Sequence, residues 1–127
     1  MTQLSRRVEE NAGRAVRRAA VVADQVVTLA TPVDTGRARS NWRVAIDRPA
    51  DGFVGALDQS GQSAIAIANS VIATFRSRVN RAIHITNNLD YIVDLERGSS
   101  AQAPEGMTRK AVQAARETLD GVKLLGQ

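Results

Sequence analysis

Apolar residues at Leu4, Val8, Ala12, Ala15, Ala19, Val22, Val26 and Leu29 recur at every third or fourth position. That spacing predicts one amphipathic helix from about Thr2 to Ala30. At ~1.5 Å per residue it would run about 40 Å, more than a small domain needs for its own core. Its other face carries Arg6, Arg7, Glu10, Arg14, Arg17 and Arg18. This face is either solvated or packs in part on a neighbouring subunit. Pro32 ends the pattern, because proline disfavours helix at itself and at the residue before it. Asp34 and Thr35 can fold their side-chain oxygens onto nearby N–H groups, and Gly36 can turn left-handed.

The period then changes. Trp42, Val44 and Ile46 alternate with Arg43, Ala45 and Asp47, which predicts a half-buried strand. Pro49, Asp51 and Gly52 predict a turn, after which residues 53–57 return as a paired strand. A polar break over 58–61 precedes a second helix opened by Gln62 or Ser63, with Ile65, Ala68, Ile72 and Phe75 inward. Ile83 and Ile85 against His84 and Thr86 predict a third strand, ending at Asn87-Asn88. Asn88 or Asp90 can cap a short helix over 91–97, stopped by Gly98. Pro104 suits the first turn of a last helix carrying Met107, Ala111, Ala114, Ala115, Leu119 and Val122. The fold class is therefore α+β: one domain over 1–127, with a long N-terminal helix and further helices packed on a small antiparallel sheet.

Composition narrows the chemistry. Hydrophobic residues make up 43% of the 127 but aromatics only 3%, so alanine and aliphatic side chains must fill the core. Such a core buries little area per residue, and partner subunits are expected to help stabilise it. With no cysteine, disulfides and thiolate metal sites are excluded. The first twelve residues are too polar for a signal peptide, and no apolar run is long enough to span a bilayer, so no membrane association is expected. Fifteen of the seventeen basic residues are arginine, and the formal net charge is +4. Arginine binds carboxylate and phosphate bidentately, so a basic nucleic-acid-binding protein is the rival reading. Against it, acids alternate with the arginines and few rings remain for base stacking. His84, the only histidine, has no nucleophile or acid beside it, and no phosphate-cradling glycine loop exists. Asp90 and Asp94 share a helical face, a weak pattern for a cation. No catalytic, cofactor-binding or metal site is assigned, and the chain is read as a non-enzyme.

Two stretches remain distinctive: Pro32-Val33-Asp34-Thr35-Gly36-Arg37-Ala38-Arg39 leading to Trp42, and Asn87 through Tyr91, Leu95, Glu96, Gly98 and Ser99 to Met107. In this order they resemble the neck, or tail-completion, proteins of long-tailed bacteriophages. Those proteins carry Pro-Val-Asp-Thr-Gly-Arg-x-Arg-x-x-Trp after a first helix. They then carry Asn-x-x-x-Tyr-x-x-x-Leu-Glu-x-Gly-Ser/Thr running into Ala-Pro-x-Gly-Met. Asp90 departs from the small or proline residue that often precedes the tyrosine. The resemblance implies a virion protein at the head–tail joint, assembled in the host cytoplasm. It implies a ring of typically six copies, completing the tail end and docking it to connector or stopper and tail-tube proteins. Genomic DNA would pass through without specific binding. The related tail-terminator ring, capping the tail tube, is the alternative.

Within these stretches Pro32, Asp34, Thr35, Gly36, Trp42, Tyr91, Leu95, Gly98 and Met107 are read as structural. Trp42 is expected to face the core and to need an acceptor for its ring N–H. Tyr91 and Leu95, four apart on one helical face, are expected beneath the sheet. Arg37, Arg39 and Glu96, with Ser99, Ser100, Gln102 and Pro104 of the loop before Gly106, are the expected subunit or partner contacts.

Overall fold

Seven elements follow one another: α1 (Gln3–Ala30), α2 (Arg37–Ser40), β1 (Arg43–Ile46), α3 (Gln62–Ile72), β2 (Ile83–Thr86), α4 (Ile92–Glu96) and α5 (Thr108–Asp120). The structure is a computed structural model and describes residues 3–78, 81–98 and 106–121. The class is α+β, with α1 as the hub. α5 lies along one stripe of α1, and α3 packs against another. Small side chains make the close approach possible: Ala15, Ala19, Ala64, Ala68 and Ala111 are all buried. The central cluster joins Val27, Trp42, Met107 and Ala111, with Ala23, Val26, Ala30, Ile85, Ile92 and Leu95 packed around it.

β1 and β2 form an antiparallel pair, the only strands among the described residues. The register sets Val44 opposite Ile85 and Ile46 opposite Ile83, so one face is apolar. Arg43 opposite Thr86 and Ala45 opposite His84 form the other.

The expected return strand over 53–57 does not form; β2 takes its place as the partner of β1. Side chains hold this segment instead of a backbone ladder. Asn41 accepts from the Val54 N–H at 2.7 Å and donates to the Val54 carbonyl at 3.1 Å. One amide group thus supplies the reciprocal pair that a strand neighbour would give. Ser40 Oγ then accepts from the Asp58 N–H at 2.9 Å. The segment leaves Phe53 63% and Leu57 60% exposed.

Asp58 closes the connection by organising the start of α3. Its carboxylate accepts from the Ser60 hydroxyl and N–H and from the Ser63 N–H. The Ser60 hydroxyl, first among these bonds, helps hold the carboxyl far below the usual aspartate range.

Candidate functional site

The two stretches singled out in the sequence converge on one cleft of about 260 Å³. Pro32, Val33, Asp34, Thr35, Gly36, Arg37 and Ala38 line one side, and Tyr91 and Leu95 the other. The first wall is a helix stop fixed from behind by Arg39. Its guanidinium donates to the carbonyls of Leu29 (2.9 Å), Thr31 (2.9 Å) and Gln59 (3.1 Å). The carbonyls at the end of α1 have no partner within the helix, and a cation there also meets the negative end of its dipole. Gly36 has φ +91°, and a Cβ at this position would lie 2.5 Å from backbone atoms of Asp58 and Gln59. Only glycine fits the turn. Thr35 Oγ1 accepts from the Arg37 N–H at 3.2 Å, and Gln59 donates to the Asp34 carbonyl at 2.7 Å.

The second wall is tied to the first by Asn87. Asn87 donates to the Ala38 carbonyl at 3.0 Å, while Asn88 donates at 2.8 Å to the carbonyls of Ala50 and Gly52. Asn88 therefore braces a turn, and neither it nor Asp90 caps α4 as expected; Tyr91 occupies the cap position without a side-chain bond. Leu89 is buried and anchors the approach to the helix.

Arg37 bridges the mouth. Its guanidinium carbon lies 5.4 Å from the centre of the Phe53 ring and 5.8 Å from that of Tyr91. Both distances suit cation–π attraction. Among the described residues its guanidinium N–H groups meet no hydrogen-bond acceptor, in contrast to those of Arg39. A planar cation held between two rings, with its N–H edge uncommitted, can take a carboxylate or phosphate in bidentate fashion.

Behind the cleft, the end of α4 holds the start of α5. The Glu96 carboxylate accepts from the Met107 N–H and the Thr108 N–H, both at 2.9 Å. Burial opposes its charge, yet these bonds prevail and keep the carboxyl below the usual glutamate value. Gly98 (φ +87°) ends the helix, as its position predicted. A Cβ on Gly106 would collide with the Glu96 carbonyl, so the chain can pass there only as glycine.

These contacts redistribute the expected roles. Arg39 and Glu96, read from sequence as contacts to other subunits, are bonded within the chain, one finishing α1 and the other starting α5. Arg37 faces outward. Tyr91 lines the cleft, half-buried, instead of lying in the core, whereas Leu95 packs on the central cluster and Met107 is fully buried within it. Trp42 is 8% exposed, and its ring N–H donates to Thr31 Oγ1 at 2.8 Å. Thr31 passes the bond on to the Val27 carbonyl at 2.6 Å. Ser99, Ser100, Gln102 and Pro104 lie outside the described residues.

The sequence reading gave Asn41, Asn87 and Phe53 no part in the site. An asparagine placed beside a strand gives no periodic signal, and Phe53 read as one member of a strand. His84 sits on β2 opposite Ala45. Among the described residues no three His, Asp or Glu side chains group to hold a metal, and no helix is long and apolar enough to cross a membrane. Comparison with known protein families, with curated proteins and with solved structures gives no match.

Proposed function

We propose that this chain is a ring-forming structural protein of a phage head–tail joint, acting by binding and not by catalysis. The observation that carries the reading is the convergence of both neck-protein-like stretches on a single cleft. Most of their residues fix its shape, and Arg37 is presented at its mouth between Phe53 and Tyr91. Arginine and aromatic side chains in such a setting are typical anchors of protein–protein contacts.

A second surface supports assembly. Trp42, Val44, Val54, Ala56, Ala64, Ile67, Ala68 and Val71 line an apolar groove of about 370 Å³ beside β1 and α3. Ile67 on its wall is 68% exposed, and Phe53 and Leu57 flank the lining residues in sequence. Exposed large apolar side chains gathered around one depression mark an interaction surface more often than scattered ones do. In a ring each copy meets its neighbour through two different patches, and the ring closes because every step is the same rotation. Tail completion and tail termination both fit this description, with connector or tail-tube proteins as further partners.

The test is a mass measurement by light scattering on the purified protein, alone and with purified tail tubes. A ring-sized oligomer, or a monomer that becomes one on tails, is expected. A protein that stays monomeric with both tails and connectors overturns the reading.

A further inference from the structure

α1 buries a carboxylate that no described residue pairs. Asp24 has 0% exposed surface, and neither of its carboxylate oxygens accepts a hydrogen bond among the described residues. Three contacts locate it. A Cβ on Gly13 would lie 3.6 Å from the Cβ of Ser77, and one on Gly61 would lie 2.7 Å from Thr28 Cγ2. Arg17 donates to the Phe75 carbonyl at 2.6 Å. α1 and α3 therefore run antiparallel, and Asp24 lies between these contacts, two turns after Arg17 and one before Thr28. Two more buried oxygens of these helices lack partners: Thr28 Oγ1 and Asn69 Oδ1, the latter within about a turn of the level of Asp24. With Asp24 ionised three of these four unpartnered oxygens can only accept, and the Thr28 hydroxyl is the one donor among them.

Among the described residues no cation compensates the carboxylate. α3 carries no charged residue at all. On α2, Arg37 lies over aromatic rings and Arg39 is bound to three carbonyls. Arg17 of α1 is held on Phe75. Arg109, Lys110, Arg116, Glu117 and Asp120 of α5 are exposed, and that helix meets the neighbouring Val27 stripe through Ala111. β2 approaches the same stripe through Ile85, with His84 on the opposite face of the strand. Burial alone pushes the Asp24 carboxyl up from 3.8 to about 7.

We propose that Asp24 is a proton-operated latch on the α1–α3 seam. Protonated, it is neutral and adds a donor where acceptors are in excess. When the proton leaves to bulk water, an unpaired charge remains in an apolar seam, and α3 must yield for water to reach it. α3 also supplies Ile67 and Val71 to the apolar groove, so the wall of that groove moves with the latch.

Carboxyl carbon NMR on the intact wild-type chain reads the latch directly, with an expected Asp24 midpoint near 7. Amide exchange over Ala64–Ile72 gives the mechanical readout. The opening equilibrium of α3 should rise about tenfold per pH unit from pH 5 and level off above 7, beyond the intrinsic chemistry of exchange. Asp24→Asn, neutral at every pH, should abolish that rise, while the amides of α5 change little in either protein. An Asp24 midpoint near 4 overturns the proposal without needing any variant to fold. An α3 that follows intrinsic exchange alone, or a rise shared equally by α5, overturns it as well. None of these readings depends on ring formation.

Discussion

Trp42 and Tyr91 looked equivalent along the chain, and their surroundings separate them. Trp42 sits in the central cluster with its N–H bonded, so Trp42→Ala should cost about 3–5 kcal/mol, as other large-to-small core changes do. Tyr91 is half-buried under Arg37, and Tyr91→Ala should cost clearly less. Thermal or denaturant melts of the two variants check the order; equal losses would return Tyr91 to the core. A similar contrast holds for the two arginines. Arg39→Glu places a carboxylate against three carbonyl oxygens and should lower the melting temperature of the isolated protein. Arg37→Glu reverses a charge that bonds no described acceptor, so melting should hold, while in the ring reading ring or tail joining should fail. Loss of melting in Arg37→Glu with assembly intact would contradict this assignment.

At the scale of elements, helix ends carry much of the fold. Glu96 satisfies two N–H groups at the start of α5, which otherwise lack partners. Glu96→Ala should therefore destabilise by about 1–2 kcal/mol, the range seen for lost caps. Gly106→Ala should be at least as harmful, because it forces α4 and α5 apart at the backbone. Denaturant midpoints measure both. Acid and base act oppositely on these seams. Asp58 and Glu96 have lowered values in the folded chain, so their contribution is present above the ordinary range of 3.8–4.5 and lost as pH falls through the folded values. Asp24 has a raised value, so its folded form is favoured below 3.8 and loses ground up to about 7. The integrated loss is about 4 kcal/mol. Stability should peak near about pH 4–5 and decline towards neutrality. A melting profile with its maximum at pH 7–8 would refute the sum of these effects.

For the whole molecule, the basic charge is concentrated along the first half of α1 and the segment after α3. Arg14, Arg17, Arg76 and Arg78 line one open depression there together with Glu9 and Glu10. In the ring reading this end faces protein carboxylates, because a channel that lets DNA slide should not grip phosphates. Duplex binding by the wild type should be weak, unspecific and lost at moderate salt, since each neutralised phosphate releases counterions. Filter binding or fluorescence anisotropy across a salt series decides it. Submicromolar binding to a defined sequence near about 0.15 M salt would favour the nucleic-acid reading instead.

Local residue pattern was enough to give α1, α3, β1 and β2, because periodic burial leaves a periodic pattern along the chain. It also determined the stop at Pro32 and Gly36 and the buried role of Trp42, where covalent geometry and ring size dictate the outcome. Long-range packing settled which strand pairs with β1, since Asn41 offers residues 53–57 a side-chain substitute for the ladder. It decided that Arg39 and Glu96 serve helix ends while Arg37 faces out, because charged side chains of similar reach differ only in what the fold brings within bonding distance. Asp24 belongs here too. An aspartate in a helix reads as solvated until α3, which carries no charge, is laid across it.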